Sequence, residues 1–291
     1  MATPTSASTQ YPRTAVNKLG RLPNRGYYDY ATIHTLLDRS PLLHISFTIP
    51  TQRFPVILPM LGCTANYTDP SAEPATTPQD VYLHGHISSR MFQRAKSCPS
   101  SSLDSTQQQQ QQQQAQKEEE EEEDEESRDG LPISIAASFL DGLVLSLTPF
   151  HNSCNYRSAV VYGYASLVTD EAEALWAMHK ITEKMLPGRW DASRVPPTDA
   201  EVKSTGVMRV RIVSASAKIR TGGPSEDRND LKNQELAQRT WTGVVPYWGM
   251  WGEPVPGAQN GCEEVQGYIE GWRVGENTRG KMEAFGAAME K

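Results

Sequence analysis

The chain has 291 residues, 37% of them hydrophobic and 22% charged, and a formal net charge of −7. Nine acids in the run Glu118 to Glu126 more than account for that charge; without them the remainder carries +2. The length suffices for one large or two small domains with real cores, and the near-neutral remainder speaks against a nucleic-acid footprint and against a strongly acidic face.

Residues 1–12 read as a disordered arm. The N-terminal stretch is Ser/Thr-rich, carries Arg13, Lys18, Arg21 and Arg25, and has no acid before Asp29. It resembles a transit peptide in composition but reads as a mobile polar lead-in, and it lacks the apolar segment of a secretory signal. Asp29 is placed to cap a helix over 30–40 with Ile33, Leu36 and Leu37 on one face, stopped by Pro41. Two β-branched runs follow, 42–49 and 54–60, separated by PTQR as a hairpin. Residues 64–79 read as loop, 80–86 (DVYLHGH) as a strand, and 87–95 as a helix with serines at its start.

Residues 97–129 combine eight consecutive glutamines from Gln107 with the acidic run, a composition with too little apolar surface to offset ordering entropy. They read as a disordered insertion. Strands resume at 131–139 and 143–150, joined by Asp141-Gly142 as a two-residue turn. The stretch 150–168, FHNSCNYRSAVVYGYASLV, opens with polar groups and continues as an apolar, aromatic strand. Thr169-Asp170 caps a helix over 171–186 with Leu175, Met178, Ile181 and Met185 as its stripe. Residues 207–220 alternate as a half-buried strand containing Arg209 and Arg211. A charged segment (224–240), a Trp/Gly/Pro-rich loop (241–256) and a weak helix (263–290) complete the chain. About six strands with few helical crossovers argue against a parallel sheet. They predict a mainly β, six-stranded antiparallel barrel with flanking α-helices.

No Gly-rich phosphate loop, HExxH or GxSxG is present. Cys63, Cys98, Cys154 and Cys262 are scattered without a CxxC pair, which excludes the common zinc and disulfide patterns and fits a reducing compartment. No apolar run approaches the length of a membrane span. Together with the glutamine and acidic tracts this predicts a cytoplasmic protein, with the nucleus also open.

Two anion-binding pieces remain. In His84-Gly85-His86-Ile87-Ser88-Ser89-Arg90 a strand ends where a helix begins, so backbone N–H groups, two hydroxyls and a guanidinium converge. The plainer reading is that a serine caps the helix and Arg90 faces water. Tyr156-Arg157-Ser158 is the second piece, with a strand arginine paired to a carboxylate as its plainer reading. His151 reads as an ordinary hydrogen-bonded ring. His84 and His86 lack metal-ligand spacing, so no metal is expected. Trp241, Trp248 and Trp251 either cover a pocket or pack on the barrel.

Five segments in order, 21–38, 54–60, 81–91, 150–168 and 216–246, resemble the pyridoxamine 5'-phosphate oxidase-like FMN-binding split-barrel family, in its nitroimidazole-resistance-type branch. The resemblance implies a split-barrel domain over 13–246, interrupted by 97–129 and followed by a C-terminal loop and helix (247–291). It implies a homodimer with FMN at the interface, acting as a flavin-dependent oxidoreductase on a small molecule. Ser88, Ser89 and Arg90 would hold the phosphate; Val56, Ile57, Leu58 and Pro59 would line the isoalloxazine. Tyr156, Arg157, Ser158 and Trp241 would reach the cofactor, and His84 would be the functional histidine beside it. Met91 stands where the oxidase has a lysine. Split barrels that take haem or deazaflavin, with His84, His86 or His151 as an axial ligand, are one alternative. A non-catalytic interaction protein that engages partners through its tracts is the other.

Overall fold

Long apolar–polar alternation builds the sheet. In the computed structural model, which describes residues 9–50, 52–98 and 130–290, the strands are β1 (Gly26–Tyr27), β2 (Leu43–Phe47), β3 (Val56–Met60), β4 (Gly62–Ala65), β5 (Asp80–His86), β6 (Leu131–Leu145), β7 (Ser153–Leu167), β8 (Thr205–Arg220) and β9 (Gly243–Pro246). Their order is β3-β2-β6-β7-β8-β5-β4, with β1 added to β8 and β9 to β6, and every pairing is antiparallel. The helices are α1 (Tyr30–Arg39), α2 (Arg90–Ser97), α3 (Glu171–Met185), α4 (Asp199–Ser204), α5 (Gln234–Arg239) and α6 (Gly267–Met289).

The inward residues of β2, β5, β6, β7 and β8 share one core with α1 and α2, including Ile45, Leu83, Ile135, Val161 and Met208 at 0% exposure. Each such side chain contributes about 1.5–3 kcal/mol by leaving water. A smaller cluster on the outer side of β5 is covered by α3 through Ala177 and Ile181, which pack with Cys63, Tyr82 and Val207. The ends of β3 and β5 meet: a side chain at Gly85 would lie 3.0 Å from the Phe92 ring and 3.4 Å from the Met60 methyl. That close approach, at which a larger residue would have to push the Phe92 ring aside, brings the edge strand β3 beside the start of α2.

The mainly β antiparallel class with flanking helices is observed, with nine strands among the described residues in place of six. Asp141-Gly142 is not a turn. β6 runs through it, and the register slips between Leu140 and Gly142, so Asp141 is the extra residue of a bulge and turns its side chain inward. β4 and β9 lie in segments too short and Gly/Pro-rich to alternate visibly, and α5 is a single polar turn and a half. On α3 the buried face is Glu173, Ala177 and Ile181, while Met185 is 45% exposed, because Tyr82 and Arg209 supply polar partners for an inward glutamate. Asp29 and Asp170 cap α1 and α3 as expected. Of the arm, residues 1–8 lie outside the described residues, while Gln10 bridges to Asp29 and Tyr11 is buried. Of the insertion, 99–129 lies outside them as well.

Candidate functional site

The turn between β5 and α2 is built by His86. Its Nδ1 accepts the backbone N–H of Ser88 (3.2 Å) and lies 2.7 Å from the Ser88 hydroxyl, while its carbonyl accepts the N–H of Ser89 (2.9 Å). Ser88 is therefore spent on the histidine. Ser89 occupies the N-cap position of α2 yet makes no side-chain cap, unlike Asp29 of α1 and Asp170 of α3. The amides of the first turn thus keep the partial positive charge that an anion would satisfy. Arg90 is exposed and has no ion pair among the described residues. The plainer reading of this segment therefore holds only in part: Arg90 faces water, but no serine caps the helix.

β3 lies at the edge of the sheet order, so among the described residues one row of its backbone groups lacks a strand partner, and Pro59, with no N–H, is tolerated there. Ile57 (63% exposed) and Pro59 face outward, whereas Val56 and Leu58 pack against the core. The close approach at Gly85 sets this strand beside the turn of Ser88, Ser89 and Arg90.

β7 divides its candidates by alternation. Tyr156 and Ser158 face outward, half-buried, and the Ser158 hydroxyl donates to the carbonyl of Lys218 (3.2 Å). Arg157 faces the other way. Its Nε and Nη2 donate to the two oxygens of Asp141 at 2.9 and 2.8 Å, its Nη1 lies 3.0 Å from Glu283 of α6, and its plane covers Phe139 at 4.9 Å. Burial disfavours the Arg157 charge, but the two carboxylates outweigh it and hold the pKa above its ordinary value. The guanidinium is engaged within the protein, as in the plainer reading of its motif. It lines a cleft of about 330 Å³ with Phe139, Tyr247, Trp248 and Trp251, whereas Trp241 stands apart at 65% exposure.

His84 shares the outer face of β5 with Tyr82, opposite Val81 and Leu83, and pairs in register with Val207 of the cluster under α3. Burial lowers its pKa, disfavouring the charged ring, and among the described residues its Nδ1 is buried without a hydrogen-bond partner. The structure thus brings β3 and the β5–α2 turn together and separates Arg157 and His84 onto other faces. Asp141 and Glu283 escaped the sequence reading. An Asp-Gly pair inside a long alternating run could have been taken for a bulge, but nothing local marks Glu283. Among the described residues no group of three or more His, Cys, Asp or Glu could hold a metal.

The model of the family described as pyridoxamine 5'-phosphate oxidase matches residues 115–219. No curated protein matches. Among solved structures, the flavocytochrome Anf3 from Azotobacter vinelandii aligns with a TM-score of 0.64 at 24% identity, over 89% of this chain and 96% of that one. The FAD and heme binding protein from Mycobacterium smegmatis aligns with a TM-score of 0.61 at 19% identity, over 85% and 96%. These two likenesses extend the shared fold to most of the chain.

Proposed function

Starting from a chain whose residues 115–219 match the model of the pyridoxamine 5'-phosphate oxidase family and whose fold is shared over most of its length with solved split barrels, we propose that it binds a flavin nucleotide, FMN in the first instance, and works as a flavin-dependent oxidoreductase on a small molecule. The observation that carries this reading is the uncapped start of α2 beside the edge of β3. An orphan helix terminus with Ser89 and Arg90 fits a phosphate, and a free strand edge fits the polar rim of a flat ring. When bound, the flavin supplies hydride or electron transfer. The protein's part is to hold and orient. Ser89 and Arg90 grip the phosphate, and the backbone of Val56 to Pro59 lines the ring. Tyr156 and Ser158, on the outer sheet face, reach the cofactor of a second copy in a homodimer.

The test is the visible absorbance of protein purified from cells. A flavin band and an Arg90→Ala variant that retains flavin at least about tenfold more weakly are expected, since a charge-assisted phosphate contact is lost. Colourless protein that takes up no added FMN or FAD would sink the proposal. A second reading follows from the two solved relatives above, one a flavocytochrome and one an FAD and heme binding protein. It has FAD and haem bound to this chain, with His84, His86 or His151 as an axial ligand, and a Soret band in the same spectrum decides for it.

A further inference from the structure

A second polar cavity lies where the end of α2 meets the ends of β7 and β8. Its volume is about 630 Å³, and its lining includes Lys96, Tyr164, Ser166, Arg209, Arg211 and Asp80. Three cations thus face one carboxylate. Arg209 is shared between Asp80 (3.8 Å) and Glu173 (3.3 Å). Arg211 is not paired in this way. Among the described residues it has no ion pair, its plane lies 5.8 Å from the Tyr164 ring, and its Nη2 is buried without any hydrogen-bond partner. A buried guanidinium nitrogen left unsatisfied is costly, so the cavity is short of an acceptor.

Geometry explains why the arginine stays there. Arg211 and Tyr164 are cross-strand partners beside the β7–β8 register slip at Gly163, and a side chain at Gly163 would meet the carbonyl of Arg211 at 2.2 Å. The two backbones are clamped together at this point, which holds the guanidinium over the ring. Tyr164, Ser166 and Thr169 add hydroxyls, and Ala95 and Leu167 add an apolar wall. The volume falls in the range of small-molecule sites.

We propose that this cavity is an oxyanion-binding site for a small organic carboxylate or phosphate, with Arg211 as its central donor, Lys96 as its outer cation and Tyr164 as the platform for the ligand's body. It is separate from the β5–α2 turn, since Lys96 sits in the last turn of α2 and Arg90 in the first. The oxyanion has two possible sources: a free molecule, or the chain's own run Glu118 to Glu126, which lies in sequence between Cys98 and Gly130 on the cavity wall.

Calorimetric titration of the full chain with citrate and with pyrophosphate tests the proposal. Saturable binding of at least one probe is expected. Arg211→Gln and Lys96→Gln should each weaken it by about tenfold, with Arg211→Lys partly restoring it. Lys96 is exposed, so that variant reports even if Arg211→Gln fails to fold. A chain with the nine acids changed to serine separates the sources. Unchanged affinity assigns the site to a free anion, and tighter binding shows the acid run competing for it; both uphold the site. No binding of either probe up to about 10 mM in both chains overturns it, given that weak polar sites reach the millimolar range. If Arg211→Gln removes flavin absorbance, the cavity belongs to the cofactor site and the separate-site proposal fails. If the flavin band is absent throughout but anion binding stands, the flavin reading alone falls.

Discussion

Arg157 shows how one residue reads differently before and after folding. Its motif suggested a cofactor contact, yet both carboxylate partners lie elsewhere in the chain: Asp141 sixteen residues upstream on a bulge and Glu283 on the final helix. Asp141 has a side chain only 3% exposed, so removing its guanidinium leaves a buried charge. Arg157→Ala should cost about 3 kcal/mol, the lower end for breaking a buried pair, because Arg157 keeps some contact with solvent. Adding Asp141→Asn should recover part of that loss. The check is urea denaturation of both variants, and an additive double variant would contradict the pairing.

Among the elements, α6 depends on the strand entry that opens β7. Asn155 is fully buried; its Nδ2 donates to the carbonyls of Gly222 (3.1 Å) and Ala287 (3.2 Å), and its Oδ1 accepts from Arg220. Gly222 in turn donates to Ala287 at 2.7 Å. The polar cluster that resembled an anion rim therefore includes the latch of the C-terminal helix. Asn155→Ala should destabilise by about 2–3 kcal/mol, since two carbonyls and a guanidinium each lose a hydrogen bond in the interior. Hydrogen exchange should show α6 opening before the barrel strands; uniform loss of protection would argue against a latch.

For the whole molecule, pH couples to folding through its buried histidines. Burial lowers the pKa of His34 and of His84 below 6.5. His34 is further engaged, 2.7 Å from the Tyr11 hydroxyl and 2.7 Å from the Pro74 carbonyl. In the unfolded chain both bind protons more readily, so stability is full above pH 6.5 and falls as pH drops through the unfolded value. Asp80 acts in the opposite sense, its carboxyl pushed up to about 6 mainly by burial, so that its folded form holds a proton more readily. Melting temperatures between pH 7 and 5 should fall, less steeply for His84→Gln than for the parent; an identical slope would show that His84 does not titrate on unfolding.

What the sequence by itself determined is local. Asp29 and Asp170 cap their helices, β2 and β3 form the expected hairpin, and the stretch 150–168 holds the strand β7, because caps and alternation act over a few residues. The strand–turn–helix at 80–97 was legible for the same reason, and with it the order of elements that makes a split barrel. Only the tertiary structure decided which side chains remain free. Arg157 was neutralised by residues far along the chain, Ser88 was drawn to His86, and Arg211 was held over Tyr164 without an acceptor. Ion pairing and burial are set by what meets in space, so the same residue type is a latch at one position and a candidate ligand site at another.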